Sequence, residues 1–142
     1  MEKKRSVLIV DDDPNFLGIL GRMIQNIGFH PISAENGQAG LDFLKNNPEI
    51  CCVFTDYKMP SMDGPALIKK IRKIKELKDL PIYILSGAVS LKKAGDLLDR
   101  GVKGFMEKPI FQDDIKNILE QVTGPSAKET PPANPAGEAS EQ

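Results

Sequence analysis

The chain has 142 residues, 40% hydrophobic, 27% charged and 6% aromatic, with a net charge of −1. That length suits one domain, two only if both are very small, and can bury roughly two-thirds of the unfolded surface. The charge balance argues against a nucleic-acid binder driven by phosphate neutralisation. No apolar run approaches membrane-spanning length. The apolar stretch after Arg5 is also too short for a secretory signal. Cys51 and Cys52 are adjacent. Neighbours on a strand point to opposite faces, so they make a poor disulfide and a poor metal pair. Thiols inside an apolar run read as core residues of a reducing compartment, which makes the cytoplasm the expected location.

Residues 5–123 alternate two periodicities. Val7-Leu8-Ile9-Val10 reads as the first strand. Asp13 before Pro14 is an N-cap followed by proline at the first helical position. Phe16, Leu20, Met23 or Ile24, and Ile27 then share one helix face, and Gly28 suits the C-cap. A weaker strand lies near Pro31–Ala34; His30, extended before its proline, receives no role. Ala39, Leu41 and Leu44 mark the second helix, and Ile50–Phe54 the third strand. Leu67, Ile71 and Ile74 mark the third helix, whose exposed sides are expected to be solvated by the six basic residues from Lys69 to Lys78. Ile82–Leu85 is the fourth strand. Leu91, Ala94, Leu97 and Leu98 mark the fourth helix, weakened by Gly95 by about 1 kcal/mol relative to Ala and ended by Gly101. Val102–Met106 is a weak fifth strand. Phe111, Ile115, Ile118 or Leu119, and Val122 mark the fifth helix.

Apolar runs without strict alternation suit strands buried on both faces. Strands alternating with helices of this length imply an α/β fold, a parallel sheet with helices on both sides. Residues 124–142 carry Pro125, Pro131, Pro132 and Pro135 and no large apolar residue. They are expected to form a disordered tail or a truncated linker.

In an open α/β sheet, ligands bind outside the carboxyl ends of the strands. The first strand ends in Asp11, Asp12 and Asp13. The third ends in Thr55 and Asp56, the fourth in Ser86 and Gly87, the fifth in Glu107, Lys108 and Pro109. Each alone has a bland reading: an acidic cap, a turn, a loop, a surface turn in which a cis peptide is allowed. Together they bring carboxylates, a hydroxyl and an ammonium to one edge. Two carboxylates about 4 Å apart repel by roughly 4 kcal/mol at an effective dielectric near 20. Such a cluster calls for protonation or a cation. Hard oxygens without His or Cys favour Mg²⁺. With Lys108 and Ser86 beside it, a carboxylate there suits phosphoryl transfer as nucleophile, and Asp56, ending the central strand before Pro60 turns the chain away, is the best candidate.

Val10-Asp11-Asp12-Asp13-Pro14, Thr55-Asp56-Tyr57-Lys58-Met59-Pro60 with Met62-Asp63-Gly64, Leu85-Ser86-Gly87 and Gly104-Phe105-Met106-Glu107-Lys108-Pro109 resemble the receiver domain of two-component response regulators, chemotaxis-regulator-like in form. The resemblance covers about residues 5–122. It implies a doubly wound, flavodoxin-like, five-stranded sheet of order 2-1-3-4-5 flanked by five helices, with residues 1–123 as the receiver. It implies that Asp56 accepts a phosphoryl group from a sensor histidine kinase or histidine phosphotransfer protein. Asp12 and Asp56 would hold Mg²⁺ directly, with the backbone carbonyl of Lys58. Asp11 would act through metal-bound water, and Asp13 would be a helix cap. Lys108 would pair with a phosphoryl oxygen, Ser86 would move toward it, and Phe105 would turn inward. A downstream protein would read the face formed by the fourth helix, fifth strand and fifth helix, where a phosphorylation-dependent homodimer is also allowed. No direct nucleic-acid contact and no turnover of a separate substrate are implied. Ser86 stands where Thr is commoner, Gly87 where Ala is usual, and Phe105 where Tyr is frequent.

Three other readings compete. A haloacid-dehalogenase-like phosphatase also uses an Asp nucleophile and Mg²⁺, and Asp11 and Asp13 match its Asp-x-Asp spacing. That motif continues with Gly-Thr or Gly-Val, whereas this chain has Pro14-Asn15, and these 142 residues are not expected to supply a cap domain to enclose a substrate. A phosphate-independent interaction module of the same fold would lack an essential pocket residue, and none is lacking. A flavodoxin needs a phosphate loop after the first strand, where three aspartates would repel the phosphate.

Overall fold

The computed structural model describes residues 5–87 and 91–123, and the expected tail at 124–142 lies outside the described residues. Strand β1, Ser6–Val10, carries no polar residue between Val7 and Val10, and all four of those side chains are at most 1% exposed. It is flanked by β2, His30–Ala34, and β3, Ile50–Asp56, with β4, Ile82–Ser86, and β5, Gly104–Glu107, beyond β3. All pairings are parallel, and the order is β2-β1-β3-β4-β5. The doubly wound sheet therefore has the expected order, with β1 and β3 central and buried on both faces.

Each strand is followed by a helix: α1 Pro14–Ile27, α2 Gly37–Asn46, α3 Gly64–Arg72, α4 Leu91–Leu98 and α5 Gln112–Thr123. Leu8 and Val10 of β1 face one core with Leu41 and Leu44 of α2, Leu67, Ile68 and Ile71 of α3, and Leu97 of α4. Val7 and Ile9 face the other, with Leu17, Leu20 and Ile24 of α1 and Ile115 and Leu119 of α5. Side chains alternate across a strand, so one apolar strand supplies two cores. The caps follow the local sequence. Asp13 accepts from the Asn15 N–H at 3.0 Å, Asn36 from Ala39 at 2.8 Å and Asp63 from Ala66 at 2.9 Å. Gly28 ends α1 at φ 110, a left-handed conformation that glycine adopts without Cβ strain.

Three expectations need correction. Cys51 and Cys52 do not divide between the two faces. The β1–β3 register passes from Ser6↔Ile50 to Val7↔Cys52, a bulge that brings both buried thiols to the α1/α5 side as free cysteines. Phe111 is not part of the apolar face of α5: it precedes that helix and is 62% exposed. The basic run does not all solvate α3. The helix stops at Arg72, and a single 3-10 turn at Lys75–Leu77 follows. The Arg72 guanidinium donates to the carbonyls of Leu77, Arg100 and Gly101 at 2.8, 3.2 and 2.9 Å. It therefore ties α3 to the end of α4. Of the residues expected to line α4, Leu97 is buried and Leu98 half exposed to water, while the side chains of Leu91 and Ala94 lie outside the described residues.

Candidate functional site

The parallel arrangement directs all five strand ends to one edge. Asp11 follows β1 and is 2% exposed. Its Oδ1 accepts the Asp13 N–H at 2.9 Å, and its Oδ2 accepts the Lys108 ammonium at 3.0 Å. Asp12 is exposed at the rim. The Asp13 carboxylate caps α1 and is not among the clustered carboxylates of Asp11, Asp12 and Asp56. Asp56 ends β3. Its Oδ1 accepts the Tyr57 N–H at 2.9 Å and stands 3.6 Å from the Lys108 Nζ. Lys108 is set in place by its own N–H, which donates to the Ser86 carbonyl at 2.8 Å, and its peptide to Pro109 is cis. Ser86 is buried at the end of β4.

Carboxylate oxygens of Asp11, Asp12 and Asp56 lie within 4.8 Å of one another. At that spacing each ionised pair repels by roughly 3–4 kcal/mol at an effective dielectric near 20. One ammonium cannot balance three carboxylates. Burial, and then the charge of Asp11, push the Asp56 carboxyl above its ordinary range, against the opposing pull of Lys108 and the Tyr57 N–H. An all-oxygen donor set with no His or Cys fits a hard divalent cation such as Mg²⁺. Lys58 is exposed beside this cluster, bordering a shallow cleft with Asp12, Met59, Pro60 and Asp63. Phe105 is half-buried on β5, opposite Ile84, against the core under α2, α3 and α4.

The loop after β3 is folded tightly beside the partly buried Asp56. The Gly64 N–H donates to the Tyr57 carbonyl at 2.9 Å, and the Met62 N–H donates to the Pro60 carbonyl at 2.7 Å. Ser61 sits at φ 68, a left-handed turn position that the sequence reading does not anticipate. Phe16 is the residue whose place at the site sequence reasoning misses. Its period assigns it to the core face of α1, and its ring does pack partly there. Yet the Lys108 ammonium lies over that ring, 4.2 Å from the centroid. The one signal in the sequence is position: the first turn of α1 begins at the same sheet edge as Asp11.

The comparisons agree with this architecture. The family model of the response regulator receiver domain matches residues 7–120. The two-component response regulator ORR5 of Oryza sativa subsp. japonica is 28% identical over 116 residues, covering 82% of this chain and 87% of that protein. The transcriptional regulatory protein GlrR of Escherichia coli strain K12 is 32% identical over 128 residues, covering 90% of this chain but only 28% of that longer protein. Among solved structures, the chemotaxis protein CheY4 of Vibrio cholerae superposes with a TM-score of 0.78 at 24% identity, covering 83% of this chain and 98% of that one. The chain belongs to the response regulator receiver domain family of two-component signalling systems. Among the described residues, no helix is long and apolar enough to cross a membrane.

Proposed function

We propose that this chain is a phosphoryl-accepting switch in which Asp56 takes a phosphoryl group from a phosphohistidine on a sensor histidine kinase or phosphotransfer protein. The observation that carries the reading is the convergence of Asp56, Asp11, Asp12 and Lys108 at one sheet edge, from three separate strand ends. Asp56 Oδ1 is engaged by Tyr57 and Lys108, which leaves Oδ2 as the attacking atom. The Oδ2–P bond forms as the donor's P–N bond breaks, and the electron pair leaves with the imidazole. Mg²⁺ held by Asp12, Asp56 and the Lys58 carbonyl, with Asp11 acting through water, would offset the carboxylate charge and draw electron density from the transferring oxygens. Lys108 exchanges Asp11 for a phosphoryl oxygen, and the Ser86 hydroxyl donates to another. Phe105 turns into the space that Ser86 vacates, altering the α4–β5–α5 face that a partner protein, or a second copy, reads. The chain promotes its own phosphorylation and dephosphorylation and turns over no separate substrate. On this reading residues 1–123 form the receiver unit, and the protein works in the cytoplasm.

Intact mass after incubation with acetyl phosphate tests the reading. One phosphoryl group is expected on the wild type with Mg²⁺, none without Mg²⁺, and none on Asp56→Ala. Undiminished labelling of Asp56→Ala would remove Asp56 from its role.

A further inference from the structure

Lys108 is held from three sides. Asp11 Oδ2 lies 3.0 Å from its ammonium, Asp56 Oδ1 3.6 Å, and the ring of Phe16 lies beneath it with the centroid at 4.2 Å. The two carboxylates belong to the phosphoryl-acceptor reading, and the ring does not. We propose that Phe16 is a positioning residue for phosphoryl transfer, its ring face holding the Lys108 ammonium at Asp56 while the ammonium exchanges Asp11 for a phosphoryl oxygen. The inference rests on the phosphoryl-acceptor reading and adds a residue to it.

The physical case is one of competing holds. A lysine ends in a strongly hydrated point charge on a flexible four-carbon stem. The side chain of Lys108 is 28% exposed, so water competes for it. Its nearest partner is Asp11, not the carboxylate that reacts. An aromatic face attracts a cation through the ring quadrupole without a directional hydrogen bond. The ring therefore competes with water for the ammonium as it moves from Asp11 toward Asp56, which keeps it over the site rather than out in solvent. An aliphatic side chain would fill the same space and offer no such attraction. A carboxylate there would bind the ammonium too directionally and add a fourth negative charge. Phe16 is fixed for this task by its place in the first turn of α1, behind the Pro14 start and the Asp13 cap, and by its packing on the α1/α5 core.

The test follows labelling of the full chain by acetyl phosphate with Mg²⁺. It uses the wild type, Phe16→Leu, Phe16→Tyr, Lys108→Met and the Phe16→Leu/Lys108→Met pair. Phe16→Leu is expected to slow labelling by about twofold to fivefold, the range of one lost cation–π contact at a partly exposed site, with a melting temperature close to wild type. Phe16→Tyr, which keeps the ring face, is expected to label at the wild-type rate. In the Lys108→Met background Phe16→Leu is expected to have no further effect, because the ring acts through the ammonium. Wild-type labelling by Phe16→Leu, equal slowing with and without Lys108, or loss in Phe16→Tyr matching that in Phe16→Leu would each overturn the proposal. If Lys108→Met labels too slowly to follow, proton NMR of the Lys108 ε-methylene decides the coupling. The ring is expected to shift it upfield in wild type and Phe16→Tyr but not in Phe16→Leu, and an unshifted wild-type signal overturns the proposal. A wild type that takes no label at Asp56 would overturn the acceptor reading and this inference with it. A labelled wild type with an indifferent Phe16 would overturn this inference alone.

Discussion

A Cβ on Gly64 would stand 2.6 Å from the carbonyl oxygen of Asp56 and 3.2 Å from the Cα of Tyr57. The close approach lets α3 begin directly beneath the loop that displays the candidate phosphoacceptor. The contact is with backbone, so no side-chain rotation relieves it. Gly64→Ala is expected to destabilise the fold by about 1–3 kcal/mol, the usual penalty of an overpacked site, and to slow labelling of Asp56 by moving its loop. Urea unfolding and acetyl phosphate labelling check the two effects. Wild-type values for both would show that the loop yields at no cost.

The carboxylate cluster gives a prediction with a definite sign. Asp56 has its pKa raised in the folded state, first by burial and then by Asp11. The resulting preference for the native state is fully present below the unfolded value and is lost as pH rises through the folded one. At neutral pH an ionised Asp56 therefore opposes folding. Asp56→Asn is expected to raise the melting temperature without metal by about 2–6 °C. Mg²⁺ is expected to stabilise the wild type by about 1.4 kcal/mol at tenfold its dissociation constant, and Asp12→Asn is expected to lose that response. Thermal melts at pH 7 with and without Mg²⁺ measure both. A wild type indifferent to Mg²⁺ would remove the metal from the site.

Alkaline pH should act on the other side of the sheet. Cys52 is fully enclosed, and burial, followed by the nearby Cys51, pushes its thiol well above the ordinary range. Tyr83, facing the same core, is raised by burial and by Cys52. Above pH ~8.5, the ordinary thiol value, the unfolded chain loses the Cys52 proton while the folded chain keeps it. The native state then binds more protons, and stability falls as pH rises. Cys52→Ala is expected to flatten the decline between about pH 8.5 and 10, leaving the Tyr83 contribution above it. Denaturant midpoints across that range decide the matter; an unchanged slope would refute it.

The elements most legible in the sequence are those whose signal is local. Val7–Val10 shows a doubly buried strand by composition, and Asp13-Pro14 and Gly28 mark the two ends of α1 through the rules of capping. The strand-end residues Asp11, Asp12, Asp56, Ser86 and Lys108 are legible because a parallel sheet collects its carboxyl ends at one edge. The strand order came from family resemblance, since apolar runs alone do not order a sheet. Interactions across the fold are not legible. The bulge at Cys51 depends on how β3 meets β1. Arg72 looks like one more basic residue until α4 ends within reach of its guanidinium. Phe16 has the period of a core residue, and only the tertiary structure lays Lys108 across it.

Lys58 is expected to prolong the phosphorylated state. It lies two residues after Asp56 and borders the cleft with Asp12, Met59, Pro60 and Asp63. Water that hydrolyses phospho-Asp56 must approach in line, opposite the aspartyl oxygen. The exposed Lys58 side chain can pair with phosphoryl oxygens from the cleft and crowd that approach. Its charge could instead favour hydrolysis, as an arginine finger does. That effect needs negative charge to build on the outer oxygens in the transition state, and a loose transition state builds little there. With Lys108 pairing with those oxygens as proposed, a second cation adds less to catalysis than it takes from water access. Lys58→Ala is expected to shorten the phospho-aspartate half-life by up to about tenfold, equivalent to about 1.4 kcal/mol of barrier. Lys58→Arg is expected to keep it long. Loss of the phosphoryl mass after removal of acetyl phosphate, in Mg²⁺, gives the half-life directly. A longer half-life in Lys58→Ala would assign the lysine to hydrolysis instead.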